Sequence, residues 1–163
     1  MAKNEHIANH FHLPLQSGSD GILKKMNRHY DTERYLGIVR YMREKMPDIA
    51  ITTDIIVGFP GESEEDFAEL MEFVRDTKFD RLGVFAYSEE EGTYGALNFK
   101  DSVSSREKQR RLDELMDRQS AISLEFNLSR VGSDTKVIID DYSDGVFVCR
   151  SEFESPEVDG EIL

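Results

Sequence analysis

Apolar positions along the chain change period several times, and each change marks an element. Residues 10–16, HFHLPLQ, form a short apolar run with His12 interleaved. The run stops at SGSDG, so the pattern predicts a strand followed by a turn. GILKKMN follows as a short helix with Asp20 as its cap. In TERYLGIVRYMREKM, Tyr35, Ile38, Val39 and Met42 recur at three and four residues, which makes one apolar helix face. Asp31 stands where a carboxylate can accept the free N–H groups of that helix's first turn, and Pro47 closes it. IAITTDIIVGF is β-branched and almost unbroken in apolarity, which predicts a strand covered on both faces.

The second half of the pattern repeats the first and then departs from it. Phe67, Leu70, Met71 and Val74 give SEEDFAELMEFVRDTK a buried stripe, and Ser63 with Asp66 forms a capping-box signature. RLGVFAYS (81–88) reads as a third strand. Residues 104–132 read as one long helix with Leu112, Leu115, Met116, Ile122 and Phe126 on its apolar stripe and Gly132 at its C-terminal cap. TKVIID and GVFVCR then flank DYSDG, a strand–turn–strand hairpin.

Strand, helix, strand, helix, strand predicts parallel βαβ units with right-handed crossovers. Chemistry in such sheets sits at the C-terminal strand ends. QSGSD, GFPGES and YSEEEGTYG therefore converge on one rim. No run approaches the roughly 20 apolar residues of a membrane span. One cysteine, Cys149, excludes an internal disulfide framework and fits a reducing cytoplasm. The formal net charge of −13 argues against a large nucleic-acid footprint and for a basic partner. His6, His10, His12 and His29 show no metal-ligand spacing, and a hydrogen-bonded core histidine is the simpler reading of His12.

The three rim segments, in this order and spacing, resemble the radical S-adenosylmethionine methylthiotransferases. HLPLQSGSDGILKKMNRHY is similar to the fourth barrel strand and helix of that family, and TTDIIVGFPGESEEDF to the fifth. FAYSEEEGTYGA is similar to the sixth strand and closing loop. VGSDTKVIIDDYSDGVFVCRSEFESPEVDG is similar to the start of its small β-barrel module, TRAM. The resemblance implies an α/β fold: a partial parallel (β/α) barrel of three βα units, then a long helix and an incomplete antiparallel TRAM β-module. It divides the chain into the C-terminal half of a barrel at 1–100, a linker helix at 101–132 and the start of TRAM at 133–163.

The same resemblance implies S-adenosylmethionine and a [4Fe–4S] cluster in the complete enzyme. The family holds the cluster on a CxxxCxxC motif that this sequence lacks, so no cluster and no catalytic residue is expected in this chain by itself. Gln16, Ser17, Gly18, Ser19 and Arg28 are implied beside the cofactor. Val57, Gly58, Phe59, Pro60 and Gly61 are implied against its adenine, with glycine permitting close backbone approach. For Glu62 a helix-start carboxylate is the simpler reading.

The family modifies either an aspartate of a small-subunit ribosomal protein or an adenosine of tRNA. HLPLQSGSD and TTDIIVGFPGE look more like the tRNA type. FDRLGVFAYSEEEGTYGA and CRSEFESPEVDG look more like the ribosomal-protein type, and they carry the recognition module. Asp134 to Glu161 holds nine carboxylates against Lys136 and Arg150, which suits a basic ribosomal protein better than a tRNA anticodon stem-loop. Tyr87, Ser88, Glu152, Glu154, Glu157 and Asp159 are the implied substrate-side residues. A stand-alone binding module without catalysis is the remaining alternative.

Overall fold

The computed structural model describes residues 4, 6–155 and 160–163. Three parallel strands, β1 (His10–His12), β2 (Ala50–Val57) and β3 (Arg81–Ala86), pair in the order β1-β2-β3. Helices α1 (Asp20–Lys25) and α2 (Thr32–Lys45) connect the first two strands, and α3 (Glu64–Thr77) connects the second pair. α4 (Tyr94–Asn98) and α5 (Ser105–Ser129) follow, then a two-stranded antiparallel sheet of β4 (Ile138–Ser143) and β5 (Val146–Arg150).

Local chemistry explains most boundaries. The Asp31 carboxylate accepts from the Arg34 N–H at 2.8 Å. Ser63 and Asp66 form the full capping box at the start of α3. Asp20 is not a cap; it is the first residue of α1, and its carboxylate accepts from the Thr32 N–H instead. The strand expected over 10–16 is shorter, because Pro14 has no N–H to give and Gln16 turns to φ 75. Pairing resumes only as a single bridge between Gln16 and Ile55. Asp144 and Gly145, both at positive φ, make the hairpin turn that joins β4 to β5.

One face of the sheet is buried under helices. Ile51, Ile55, Val57, Tyr35, Val39, Phe67, Leu70, Val74, Phe79 and Leu115 form one apolar cluster. β2 is not fully covered on both sides, however. On its other face Ala50 and Thr52 are buried, but Asp54 and Ile56 are only half-buried. On α2 the stripe narrows to Tyr35, Val39 and Met42, and Ile38 stays exposed.

The stripe of α5 differs more from the expected one. Lys108, Arg111, Leu115, Gln119 and Ile122 face inward at spacings of three and four, while Met116 is exposed. Three of those five are polar, and each has a partner. Arg111 Nη1 sits 2.5 Å from Glu62 Oε1, with both side chains almost fully buried. Its Nε and Nη2 reach Glu107 at 2.8 Å and Glu64 at 3.2 Å. Gln119 donates to the Phe79 carbonyl at 2.9 Å. Lys108 donates to the Tyr87 carbonyl at 2.9 Å. α5 ends at Ser129, and Gly132 adopts φ 87 two residues beyond the C-cap Arg130.

Beyond α5 the hairpin leaves Ile138, Ile139, Tyr142 and Phe147 exposed, as two strands cannot bury a core. The following segment folds back on the first domain. Arg130 lies 4.1 Å from the ring centroids of both Phe126 and Phe153. The Glu154 carboxylate is 3.6 Å from Arg130 and 3.7 Å from Arg81, and it accepts the Ser151 N–H at 2.8 Å.

The polar contacts of α5 can be tested by substitution. Arg111→Ala leaves Glu62 buried and uncompensated, so unfolding free energy should fall by about 3–5 kcal/mol in a denaturant titration. Glu107 is held down to about 2 by hydrogen bonds from Arg110 and Arg111. Its folded pKa thus lies below its ordinary 4.5, so its contribution is present above that pH and is lost as pH falls toward 2. Glu107→Gln should flatten the acid limb of a melting-temperature profile across that window, and less so in high salt.

Candidate functional site

The three parallel strands point their C-terminal ends the same way, so the segments after them share a rim. Gln16, Ser17 and Ser19 are all buried there. Ser19 donates from its hydroxyl to Asp66 at 2.6 Å and from its N–H to Ser17 Oγ at 3.2 Å. A Cβ on Gly18 would meet the Leu70 Cα at 2.6 Å, so this glycine admits α3. Arg28 is exposed on the segment after α1.

Val57, Gly58, Phe59 and Pro60 are buried by the chain itself. Gly58 has φ +72, and a Cβ there would meet Lys108 Cγ at 2.4 Å. The group that approaches this backbone so closely is thus the aliphatic stem of Lys108. The ammonium of that lysine, already on the Tyr87 carbonyl, also reaches Asp101 at 2.6 Å. Phe59 packs edge-on against Tyr87 and Phe99 at centroid distances of 5.1 and 5.9 Å. Gly61, also at positive φ, is covered by Lys25, which donates to the Gly61 carbonyl.

Glu62 is more than a helix-start carboxylate. It is buried, accepts the Gly58 N–H at 3.0 Å and pairs with Arg111. Burial pushes its pKa up against the pull of Gly58 and Arg111. Tyr87 closes the rim beside Phe59, and its hydroxyl has no partner among the described residues. Burial raises the pKa of that phenol, and Glu89 and Asp101 add to the rise. Ser88 and Glu89 to Glu91 form an exposed loop, while Tyr94–Asn98 in the same stretch turns into α4.

The face of the sheet that bears Asp54 is polar. The register sets His12 beside Thr52 and Asp54 beside Gly83. His12 Nδ1 lies 2.9 Å from Thr52 Oγ1, and His12 Nε2 lies 3.3 Å from Asp54 Oδ2. His10 Nε2 reaches the same threonine at 3.1 Å. His12 is therefore hydrogen-bonded but exposed enough to meet solvent. Sequence reading missed Asp54, Thr52 and the polar stripe of α5. The signals were present: period-two polar residues in HFH and TTD, and basic residues at 108 and 111 in phase with Leu115.

Of the implied substrate-side carboxylates, Glu152 accepts the Asn9 N–H at 2.9 Å. Glu154 is buried and already committed to Arg81, Arg130 and Ser151. Glu157 and Asp159 lie outside the described residues. A [4Fe–4S] cluster does not fit the residues of this chain. Cluster irons need thiolates, Cys149 is buried in β5, and no metal-binding group of three His, Cys, Asp or Glu occurs among the described residues. The spaces beside Gly18, Gly58 and Gly61 are filled by Leu70, Lys108 and Lys25. Among the described residues no helix is long and apolar enough to cross a membrane.

The described elements are a parallel βα repeat with a polar face, joined through α5 to an antiparallel hairpin. The Radical SAM superfamily matches residues 1–74, and the TRAM domain matches residues 131–163. The chain is similar over all 163 residues to proteins named ribosomal protein uS12 methylthiotransferase RimO. Identity is 46% for Bacteroides thetaiotaomicron and 47% for Flavobacterium psychrophilum, and the chain spans 37% of the length of each. In both regions the chain is therefore similar to radical SAM methylthiotransferases. Coproporphyrinogen III oxidase from Escherichia coli, a radical SAM enzyme, shares the fold with a TM-score of 0.59 at 24% identity, over 70% of this chain and 27% of that one.

Gly58→Ala should destabilise the fold by about 1–3 kcal/mol, from positive φ and collision with Lys108. Pairing it with Lys108→Ala in a denaturation cycle should give less than the sum of the single costs, because the two changes share one contact.

Proposed function

We propose that the chain is part of an enzyme that adds a methylthio group to an aspartate of ribosomal protein uS12. The observation that carries this reading is similarity that continues unbroken through the barrel strands, α5 and the hairpin, at 40–47% identity, to relatives of that printed name. Charge supports it independently. The chain carries −13 overall, and Asp134, Asp140, Asp141, Asp144 and Glu161 leave its last segment strongly acidic. Such a surface attracts a basic protein and repels a polyanion.

In this reading residues 1–100 contribute barrel, 101–132 the connecting helix and 133–163 the start of TRAM, within a cytoplasmic enzyme. S-adenosylmethionine and a [4Fe–4S] cluster supply the radical and methyl chemistry in the complete enzyme, on cysteines outside this chain. This chain's own share is substrate placement. Tyr87 and Ser88 act at the rim, and Glu152, Glu157 and Asp159 supply carboxylates toward the partner.

The test joins this chain to the N-terminal remainder of the Bacteroides thetaiotaomicron relative and offers the product uS12 and a tRNA anticodon stem-loop. Mass spectrometry should find the methylthio group on uS12 alone. Modification of the tRNA with none of uS12 would replace this reading by the tRNA one. Binding of uS12 with no modification of either would favour a recognition module. Association with uS12 should weaken as salt rises from 0.1 M, where the Debye length is about 10 Å, to 1 M, where it is about 3 Å.

A further inference from the structure

The polar face of the sheet borders a groove of about 440 Å³ between β2, β3 and α5. His12, Asp54, Gly83, Phe85, Met116 and Ser120 are among its lining residues. The volume falls in the range of ligand-binding clefts. Two features single out Asp54 within it.

The first is its hydrogen bonding. With neutral histidines, one arrangement satisfies all three contacts on this face. His12 donates from Nε2 to Asp54 and accepts at Nδ1 from the Thr52 hydroxyl. That hydroxyl in turn accepts from His10 Nε2. These bonds orient the Asp54 carboxylate in the groove. Arg81 lines the same groove but is engaged by Glu154 and by the Asp80 carbonyl.

The second is Gly83. A Cβ at this position would lie 2.8 Å from Asp54 Oδ1. Gly83 therefore makes the gap into which the second carboxylate oxygen points. Phe85 and Met116 give the groove apolar surface, and both are exposed. A carboxylate beside such surface attracts a cation more strongly than one in open water.

We propose that Asp54, oriented by His12 and uncovered by Gly83, anchors an arginine or lysine side chain of the protein segment that enters this groove. The inference rests on the reading that the substrate is a basic ribosomal protein. It assigns a specificity role to the polar face of the sheet, the one bearing His12 and Asp54. Arginine is the better fit, since its planar guanidinium matches a carboxylate in a bidentate pair.

The experiment uses the 163-residue chain with labelled imidazole nitrogens and two short peptides. Both carry one aspartate, flanked in one by arginine and in the other by citrulline, which keeps the shape and loses the charge. Affinity and the His12 nitrogen shifts are read by nuclear magnetic resonance. The arginine peptide should bind about tenfold more tightly to the wild type and move the His12 signals. Asp54→Asn should abolish the difference between peptides. Gly83→Ala, which retains the charge and displaces the carboxylate, should reduce it too. Equal binding of the two peptides by the wild type, no binding of either, or a preference undiminished in Asp54→Asn would each overturn the proposal. Modification of uS12 by the joined enzyme with no such preference would remove the anchor and leave the function standing. A preference without modification would do the reverse.

Discussion

The Glu62–Arg111 pair ties α5 to the turn between β2 and α3. Glu62 stands at the turn where β2 becomes α3, and Arg111 stands early in α5. Burying two charges is costly unless each finds its partner with good geometry. Here the carboxylate also takes the Gly58 N–H, and the guanidinium also takes Glu107 and Glu64. The tight turn, the start of α3 and the pose of α5 are thus one structure. Lys108 precedes Arg111 by three positions, about one turn of α5, so both side chains face the end of β2. The pose that the ion pair fixes is therefore also the pose that lays Lys108 over Gly58.

What can be read in the sequence follows from what periodicity encodes. Asp31 and the Ser63–Asp66 box are legible because a cap needs only the residues of its own first turn. The parallel order of the strands is legible for the same reason: each βα repeat is a short-range pattern. The polar stripe of α5 is not, since Arg111 reads as solvated until Glu62, 49 positions away, is brought against it. The rim glycines are legible as close approaches but not in what approaches them. Gly18 admits Leu70 and Gly58 admits Lys108, and neither pairing is visible in a linear chain. Glu154 shows the same limit, as its acidity suggests a partner surface and its burial serves Arg81 and Arg130.

The two faces of the sheet divide the work. The face toward α2 and α3 is apolar and sets stability. The face bearing His12, Thr52 and Asp54 is ordered by hydrogen bonds between side chains of adjacent strands, so it is fixed by the register of β1 on β2. A slip of one residue would turn His12 and Asp54 into the apolar cluster. The core thereby determines the geometry of the polar face, although the two share no side chains.

α5 is pinned at both ends. Near its start Lys108 grips the rim at Tyr87 and Asp101, and just past its end Arg130 lies against Phe126 and Phe153. Its 25 residues span roughly 37 Å at about 1.5 Å per residue. With Leu115, Gln119 and Ile122 buried between those two grips, the helix is a strut that fixes the distance from the rim to the base of the hairpin.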